Sequence, residues 1–277
     1  MLIDTHSHLN FNAYKDDADE VIRRSLDNNV WMINVGSQYT TSRRAVEIAE
    51  KYPEGVFAAV GLHPIHLAEG IFKTKLDEEE INFQTKNEDF QAEKYKALAQ
   101  SKKVVAIGEI GLDYYYRPKT KTKLEQFKQK QKEVFLNQLE LAKDLNLPVI
   151  IHCRAAHNDL IEILNYQLKT TSYKPSGVIH CFTGDWEQAQ QYIEMGFYLG
   201  LNGIIFKLDL EEVIKKIPLD RILVETDCPY LTPIPFVGRN EPLYIKSVVQ
   251  RIAEIKNTDF FAIEKETTEN AKKLFRI

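Results

Sequence analysis

Eight short runs of apolar, β-rich residues alternate with longer stretches of helical periodicity, and this alternation limits the possible folds more than any other feature of the sequence. The runs are apolar throughout, as expected for parallel strands that are covered by helices on one side and by packed side chains on the other. They span residues 2–5, 31–36, 56–61, 104–109, 149–152, 177–181, 197–201 and 222–225. Helical patterns between and after them span residues 16–29, 41–52, 124–146, 158–168, 186–195, 209–216, 242–256 and 263–275.

The sequence therefore predicts an α/β fold, a TIM-like (β/α)8 barrel in a single domain that spans residues 1–277. An open doubly wound sheet is the alternative, but it would not so easily bring several distant strand ends to one point. The segment 69–93 holds eight acidic and three basic residues. We expect it to be an acidic surface insertion, or else a lid beside the third strand.

The bulk composition narrows the possible location and partners. The formal net charge of -4 excludes a general polycation, so contact with nucleic acid would need a local basic patch or bound metal. Three cysteines are too few for a disulfide framework. The N-terminal sequence has no signal-peptide pattern, and no apolar run approaches the roughly 20 residues that span a bilayer. We expect a cytoplasmic protein.

The strongest chemical signal is the motif Asp4-Thr5-His6-Ser7-His8 at the end of the first apolar run. Side chains two residues apart in a strand share a face, so His6 and His8 point together. Two imidazoles in this arrangement are suited to chelating one metal ion.

Further ligand-type side chains stand at the ends of other predicted strands, where barrel enzymes place their active sites. A carboxylate at the end of a buried strand is costly unless it is paired or bound to metal. These residues are Glu109, His152, His180 and Asp227. Each is followed or preceded by apolar strand residues, and Cys153, Cys181 and Cys228 follow three of them. If the strand alternation persists, those cysteines point away from the metal and pack as small apolar groups.

We predict two divalent ions, Mg²⁺, Mn²⁺ or Zn²⁺, held by six residues. His6, His8 and Asp227 are assigned to one ion, and His152 and His180 to the other. Glu109 bridges the two because a carboxylate has two oxygens. Asp227 is also the predicted acceptor of the proton of the attacking water. His63, in Gly61-Leu62-His63-Pro64 at the end of the third strand, is expected to contact the substrate.

Seven motifs in order along the chain resemble those of the TatD-type metal-dependent deoxyribonucleases of the amidohydrolase superfamily. The resemblance implies a TIM-like barrel, a divalent-metal pair on the six residues already chosen, and phosphodiester hydrolysis on DNA. The departures are the acidic segment 69–93 and Phe236-Val237-Gly238 ahead of Arg239. The motifs are Asp4-Thr5-His6-Ser7-His8, Gly61-Leu62-His63-Pro64, Gly108-Glu109-Ile110-Gly111-Leu112-Asp113-Tyr114, Ile151-His152-Cys153-Arg154, His180-Cys181-Phe182-Thr183-Gly184, Glu225-Thr226-Asp227-Cys228-Pro229-Tyr230-Leu231 and Arg239-Asn240-Glu241-Pro242.

A nuclease also needs positively charged side chains that contact the phosphate backbone of its substrate. Arg154 lies two residues after His152 and could hold a phosphate oxygen, and Arg239 could do the same from the eighth loop. Asp113 could orient a metal ligand or pair with Arg154. The segment 117–132 holds seven basic residues and one acidic residue, directly after three tyrosines. Cations interleaved with aromatic rings are typical of single-stranded nucleic-acid binding, although a solvated helix face is an equally good interpretation of the distal lysines.

We therefore expect a monomeric 3′–5′ exonuclease that acts on single-stranded ends of DNA, with RNA as a further candidate substrate. The direction of digestion and the preference between DNA and RNA stay open at this stage. The alternative is a small-molecule hydrolase, such as a lactonase, amidase or phosphotriesterase, on the same metal pair. A barrel that has lost catalysis is the least favoured alternative because the ligand set is complete.

Overall fold

The predicted eight-stranded barrel is present in the computed structural model, which describes residues 1–67, 88–115 and 117–277. All eight strands are parallel, and each pairs with the next along the chain. They are β1 (Leu2–Ser7), β2 (Val30–Val35), β3 (Val56–Val60), β4 (Val104–Asp113), β5 (Val149–Arg154), β6 (Gly177–Ile179), β7 (Tyr198–Leu201) and β8 (Ile222–Val224).

Backbone contacts after β8 bring the last strand back to the first. The Asp227 N–H donates to the carbonyl of His6 at 2.8 Å, and the His8 N–H donates to the carbonyl of Cys228 at 2.9 Å. Ser7 and Cys228 form a parallel bridge between the same segments. The sheet therefore closes at the carboxyl ends of β1 and β8.

Helices follow the strands and cover the outside of the barrel. They are α1 (Ala18–Asp27), α2 (Tyr39–Ala49), α3 (Ala92–Leu98), α4 (Lys121–Leu145), α5 (His157–Thr170), α6 (Trp186–Glu194), α7 (Glu211–Lys216), α8 (Ile245–Lys256) and α9 (Phe260–Phe275). Within the described part of the chain, none of them has the length and apolar character that crossing a bilayer requires.

Two layers of buried apolar residues lie on the two sides of the strands. The larger layer packs the strands against the helices, and includes Leu2, Met32 and Ile151. The smaller one includes Ile3, Ala59, Ala106 and Ile150 with Leu274 and Phe275 of α9. Because Asn270 of α9 donates to the carbonyl of Ile222 at the start of β8, α9 lies at the amino ends of the strands. The polar residues described below lie at the opposite end of the barrel, at the carboxyl ends of the strands.

One sequence prediction needs correction, one lies mostly outside the described residues, and one helix was not predicted. Strand β4 continues four residues beyond Glu109, to Asp113, so Glu109 lies within the strand and not at its end. Helix α3 was not predicted, because its residues border the acidic segment 69–93. Most of that segment lies outside the described residues. Of its described part, Glu88 accepts hydrogen bonds from the Tyr39 N–H at 3.2 Å and from the Tyr95 hydroxyl at 2.7 Å.

Candidate metal centre

The two histidines of β1 point into the carboxyl end of the barrel, as the strand alternation predicts. Their Nε2 atoms lie 3.1 Å apart, and both side chains are buried. The Nδ1 of His8 lies 2.8 Å from the carbonyl of Val35 and can donate to it, which leaves Nε2 with its lone pair free to bind a cation. The pair therefore presents two nitrogen donors to one point.

Glu109 lies between two groups of imidazoles. Its Oε2 is 3.4 Å from the Nε2 of His6 and 3.9 Å from that of His8. Its Oε1 is 2.9 Å from the Nδ1 of His152 and 3.4 Å from the Nε2 of His63. The two oxygens of one carboxylate thus face different donor groups, which is the geometry that a bridging ligand needs.

Asp227 completes the donor set from the loop after β8. Its Oδ1 lies 3.3 Å from the Nε2 of His8, 3.8 Å from that of His180 and 3.9 Å from that of His6. The hydrogen bond from its own N–H to the carbonyl of His6 fixes its position beside β1. The donor atoms of His6, His8 and Asp227 lie within 4.8 Å of one another, as the predicted first ligand group requires.

The spacing of these donors fits a divalent cation. Ligand atoms about 2.1 Å from a tetrahedral metal are roughly 3.4 Å apart. The five donor pairs that involve His6 or His8 among His6, His8, Glu109 and Asp227 are separated by 3.1 to 3.9 Å, which brackets that value. These side chains were predicted to form a metal site from their positions at the strand ends, and the structure brings them together.

The charge of the centre also fits cations. Burial alone would raise the pKa of the Glu109 carboxyl, but His63 and His6 outweigh it and hold the pKa well below its ordinary value. Burial likewise opposes ionisation of Asp227, and His180 and His8 outweigh it, so this pKa is also lowered. Burial and the charge of His180 lower the pKa of His6 to about 4. Ionised carboxylates are the form that binds metal. The nearby carboxylates, however, outweigh burial and raise the pKa of His180 to about 10, and they also raise the pKa values of His8 and His152, so a cation would have to displace protons from these imidazoles.

The predicted second ligand group, His152 and His180 on one ion, stays a prediction. Their ring centroids are 6.4 Å apart. The donor atoms of His152 also lie within 4.8 Å of those of His63 and Asp113, and those of His180 lie near those of His6 and Glu109. His63 and Asp113, which we had predicted to contact substrate, are therefore placed among the candidate ligands.

Asp113 joins His152 to Arg154. Its Oδ2 is 3.2 Å from the Nε2 of His152, and it accepts from Arg154 at 3.0 Å from Nε and 2.8 Å from Nη2. The guanidinium of Arg154 also lies over the ring of Tyr115, 4.6 Å from its centroid. Burial opposes ionisation of Asp113, but His152 and Arg154 outweigh it and hold its pKa below the ordinary value. The predicted pairing of Asp113 with Arg154 is present.

Arg239 contacts the segment before α1. Its guanidinium donates to the Asp17 carboxylate at 3.0 Å and 2.5 Å and to the carbonyl of Ala13 at 2.5 Å. It also lies over the ring of Tyr14, 4.2 Å from the centroid. These contacts use Nη1, Nη2 and one face of the guanidinium, and they join the β8 loop to the segment before α1. The predicted substrate contact of Arg239 stays a prediction.

Sequence reasoning missed Glu225, a fully buried carboxylate beside a candidate ligand. Its Oε1 lies 2.8 Å from the Nδ1 of His180 and accepts from the Cys181 N–H at 2.7 Å and the Asn202 side chain at 3.1 Å. Gly200 makes room for it, since a Cβ there would lie 2.5 Å from Oε2. A carboxylate on the far nitrogen of a ligand histidine orients the ring toward the metal. The signal in the sequence was its position two residues before Asp227.

The sequence analysis named Asp4 only as part of a motif. In the structure it forms hydrogen bonds that join β1 to the β8 loop. It accepts from the N–H and the hydroxyl of Thr226, at 2.9 Å and 2.5 Å, and from the N–H of His6 at 3.2 Å. Burial raises its pKa to about 8. These contacts hold the two ligand-bearing segments, β1 and the β8 loop, at a fixed separation.

The cysteines follow the predicted pattern with one exception. Cys153 and Cys228 are buried, as expected for small apolar groups. Cys181 is partly exposed, and its sulfur lies near the donor atoms of His180 and Asp227. Strand β6 ends at Ile179 and Cys181 has a φ of +46°, so the strand alternation does not reach this residue.

Comparison with known proteins agrees with this geometry. The family model for TatD related DNase matches residues 3–276. The chain belongs to this family. The predicted resemblance and (β/α)8 fold are confirmed, as is the enzyme class, a metal-dependent hydrolase of the TatD type.

Several relatives match along nearly their full length. An uncharacterized metal-dependent hydrolase, YabD, of Bacillus subtilis is 43% identical, with 100% of each chain covered. The 3′-5′ ssDNA/RNA exonuclease TatD of Erwinia billingiae is 32% identical, with 100% of this chain and 99% of the relative covered. The crystal structure of the TatD homologue YjjV of Escherichia coli superposes with a TM-score of 0.80 at 29% identity, covering 100% of this chain and 98% of the other.

Proposed function

We propose that this chain is a two-cation exonuclease that hydrolyses phosphodiester bonds at the 3′ ends of single-stranded DNA, and of RNA. The observation that carries the proposal is the position of Glu109, whose two oxygens face separate groups of nitrogen donors. The printed activity of the TatD relative from Erwinia billingiae supports the choice of substrate. Mg²⁺, Mn²⁺ and Zn²⁺ are the candidate ions, with His6, His8 and Asp227 nearest to one of them.

The chemistry divides between cations and side chains. Divalent cations bound there would supply Lewis-acid stabilisation of the phosphate charge and lower the pKa of a water molecule. Asp227 would be the proton acceptor, because it is a partly buried, ionised carboxylate next to the donor nitrogens of His8 and His180. Glu109 would be a cation ligand, because its two oxygens face separate groups of nitrogen donors.

Arg154 is the proposed phosphate contact. Asp113 fixes two of its nitrogens, and its side chain is 33% exposed at the edge of the centre. A guanidinium that is held in this way loses little entropy when it binds a phosphate oxygen. The ring of Tyr115, 61% exposed and stacked against Arg154, offers a surface on which a nucleobase can stack.

All candidate ligands come from one chain, so we propose that a monomer is sufficient and that residues 1–277 act as one domain. The cytoplasmic location stays a prediction. A small-molecule hydrolase on the same cations is the less favoured alternative. The salt dependence of substrate binding distinguishes the exonuclease from the small-molecule hydrolase. Binding of a nucleic acid should weaken steeply as the ionic strength rises, because only a polyanionic substrate releases several counterions.

The deciding experiment incubates the protein, reconstituted with Mg²⁺, Mn²⁺ or Zn²⁺, with end-labelled single- and double-stranded DNA and RNA. We expect 3′-labelled single strands to lose label first, and EDTA to stop the reaction. The Asp227→Asn variant is the control against a contaminating nuclease. Equal degradation by wild type and Asp227→Asn contradicts the proposal, as does cleavage that EDTA leaves unchanged.

A further inference from the structure

The loop after β8 exposes an apolar surface, and it includes the segment in which the chain departs from the family motifs. Residues 231–238, which we call the apolar loop, carry no charged side chain. Within it Ile234 is 64% exposed, Phe236 41% and Val237 93%. Exposed apolar side chains that cluster in this way, unlike those scattered singly over a surface, mark a binding site.

Hydrogen bonds hold the base of the apolar loop beside the metal centre. The N–H of Asn240 donates to the carbonyl of Pro229 at 3.1 Å, two residues after Asp227. The N–H of Tyr230 donates to the carbonyl of Asp227 itself at 2.9 Å. Phe236 is four positions before Asn240, so its backbone lies within about 14 Å of that anchor. The apolar loop therefore projects from the catalytic face of the barrel, next to the proposed proton acceptor.

The ring of Phe236 is stacked on one face and open on the other. It packs on Tyr244, with the ring centroids 3.8 Å apart and the ring planes 3° from parallel. Tyr244 ends the short 3-10 helix Pro242–Tyr244 directly before α8, so it supports the stack from an ordered element. Because one face is covered, the exposure of Phe236 falls on its outer face and edges. A further flat ring can extend this stack, and every nucleobase has such a face.

The opposite side of the barrel mouth is basic. Strands β4 and β8 face each other across the mouth, because three strands separate them in either direction around the closed sheet. The first turn of α4, which follows β4, contains no acidic residue, so the cations there oppose the helix dipole and weaken the helix. Four cations on this side are exposed and have no ion pair within the described part of the chain, namely Arg117, Lys119, Lys121 and Lys123.

We infer that the apolar loop binds the base of the 3′-terminal nucleotide, stacked on Phe236, while the rest of the strand leaves over Arg154 and the basic start of α4. The inference rests on the proposed exonuclease function. The terminal nucleotide has only the scissile phosphate, which belongs at the metal centre, so its base and sugar need no cation. The rest of the strand has a phosphate at every nucleotide and needs several. The two sides of the mouth thus set the direction in which the strand lies.

The test compares Phe236→Ala with Phe236→Trp. Alanine removes the stacking face, whereas tryptophan keeps a flat aromatic ring and should bind the base at least as well as phenylalanine. Phe261→Ala is the matched control, because Phe261 is 73% exposed on α9, at the other end of the barrel. Circular dichroism verifies the fold, and sedimentation velocity measures the mass. A mass that falls only in Phe236→Ala means that the apolar loop joins two copies of the chain, and contradicts the inference.

The first readout is kcat/KM for two single-stranded DNA octamers in the presence of the active cation. One octamer has adenine on its 3′-terminal nucleotide, and the other has no base there. On the first, we expect Phe236→Ala to lower kcat/KM about 10-fold relative to wild type, Phe236→Trp and Phe261→Ala. On the second, the loss should be less than about twofold, because there is no base to stack. An equal loss on both octamers, or a loss on neither, overturns the inference.

The second readout needs no cleavage. The fluorescent base 2-aminopurine, whose emission is quenched by stacking, is placed at the 3′ or the 5′ end of the octamer and bound to Asp227→Asn in Mg²⁺. Binding should quench the 3′ probe, and adding Phe236→Ala should remove most of that quenching while the 5′ probe is unaffected. A 3′ probe that is never quenched, or that stays quenched without the Phe236 ring, contradicts the inference. If wild type cleaves neither octamer, the exonuclease proposal fails, while this measurement still decides where the terminal base lies.

Discussion

At the scale of single residues, the centre depends on carboxylates that do more than bind an ion. Glu109 lies within β4, where its two oxygens reach donors on both sides. Glu225 and Asp4 lie behind the candidate ligands and contact their backbones and rings. Buried hydrogen bonds thus hold the candidate ligands in position.

Glu225→Gln tests this support directly. The amide keeps the volume but cannot hold the His180 ring with a full negative charge, so we expect the affinity for Mn²⁺ to fall 10- to 100-fold. Isothermal titration of the purified protein measures it, with circular dichroism to verify the fold. Glu254→Gln on the exposed surface of α8 is the control. An unchanged Mn²⁺ affinity in Glu225→Gln would show that His180 needs no such partner.

At the scale of elements, strand ends and loops determine where each side chain arrives. The carboxyl ends of parallel strands meet at one face, so the proximity of the candidate ligands in or after β1, β4, β5, β6 and β8 could be predicted from their positions relative to apolar runs. The ion pair of Arg239 could not be predicted from the sequence, because its partner Asp17 lies far away in sequence, on the segment before α1. Glu225 was missed for a similar reason, since its contacts with Asn202 and Cys181 cross between strands.

Arg239→Met tests whether that arginine is structural. The change removes the ion pair with Asp17 and the stack on Tyr14, and we expect the free energy of unfolding to fall by about 1–2 kcal/mol. Urea denaturation measures this loss. Asp17→Asn removes the same ion pair with Arg239 and should lower the free energy of unfolding by a similar amount. The kcat/KM on single-stranded DNA should stay within about twofold of wild type; a large rise of KM with unchanged stability would restore the predicted substrate contact.

The start of α5 makes stability depend on pH. Burial lowers the pKa of His157 to about 4, from 6.5 in the unfolded chain. Above about pH 6.5 both states are neutral, and stability from this group is intact. As the pH falls from 6.5 toward 4, the unfolded chain binds the proton first, so stability declines by about 3 kcal/mol.

His157→Gln should remove that part of the acid sensitivity. The difference in unfolding free energy between pH 7 and pH 4.5, measured by urea denaturation, should be smaller in the variant than in wild type. His66 stays in place in both proteins and contributes equally. Parallel pH profiles for the two proteins would show that His157 is protonated as easily in the folded state as in the unfolded one.

At the scale of the whole molecule, the barrel brings together residues from Asp4 to Asp227, and cations that bind there act on the stability of the entire fold. A cation at 100 times its Kd should stabilise the protein by about 2.7 kcal/mol. Differential scanning calorimetry with and without Mn²⁺ measures the rise in Tm. Glu109→Gln should show little of that rise, and an equal rise in both proteins would place the cation elsewhere.

Crystals grown with saturating Mn²⁺, with anomalous diffraction measured at the manganese edge, test the central claim most directly. The account predicts two peaks roughly 3.5–4 Å apart, one on each side of the Glu109 carboxylate, with His6, His8 and Asp227 around one of them. No peak beside Glu109, or Mn²⁺ only at surface carboxylates, would contradict it.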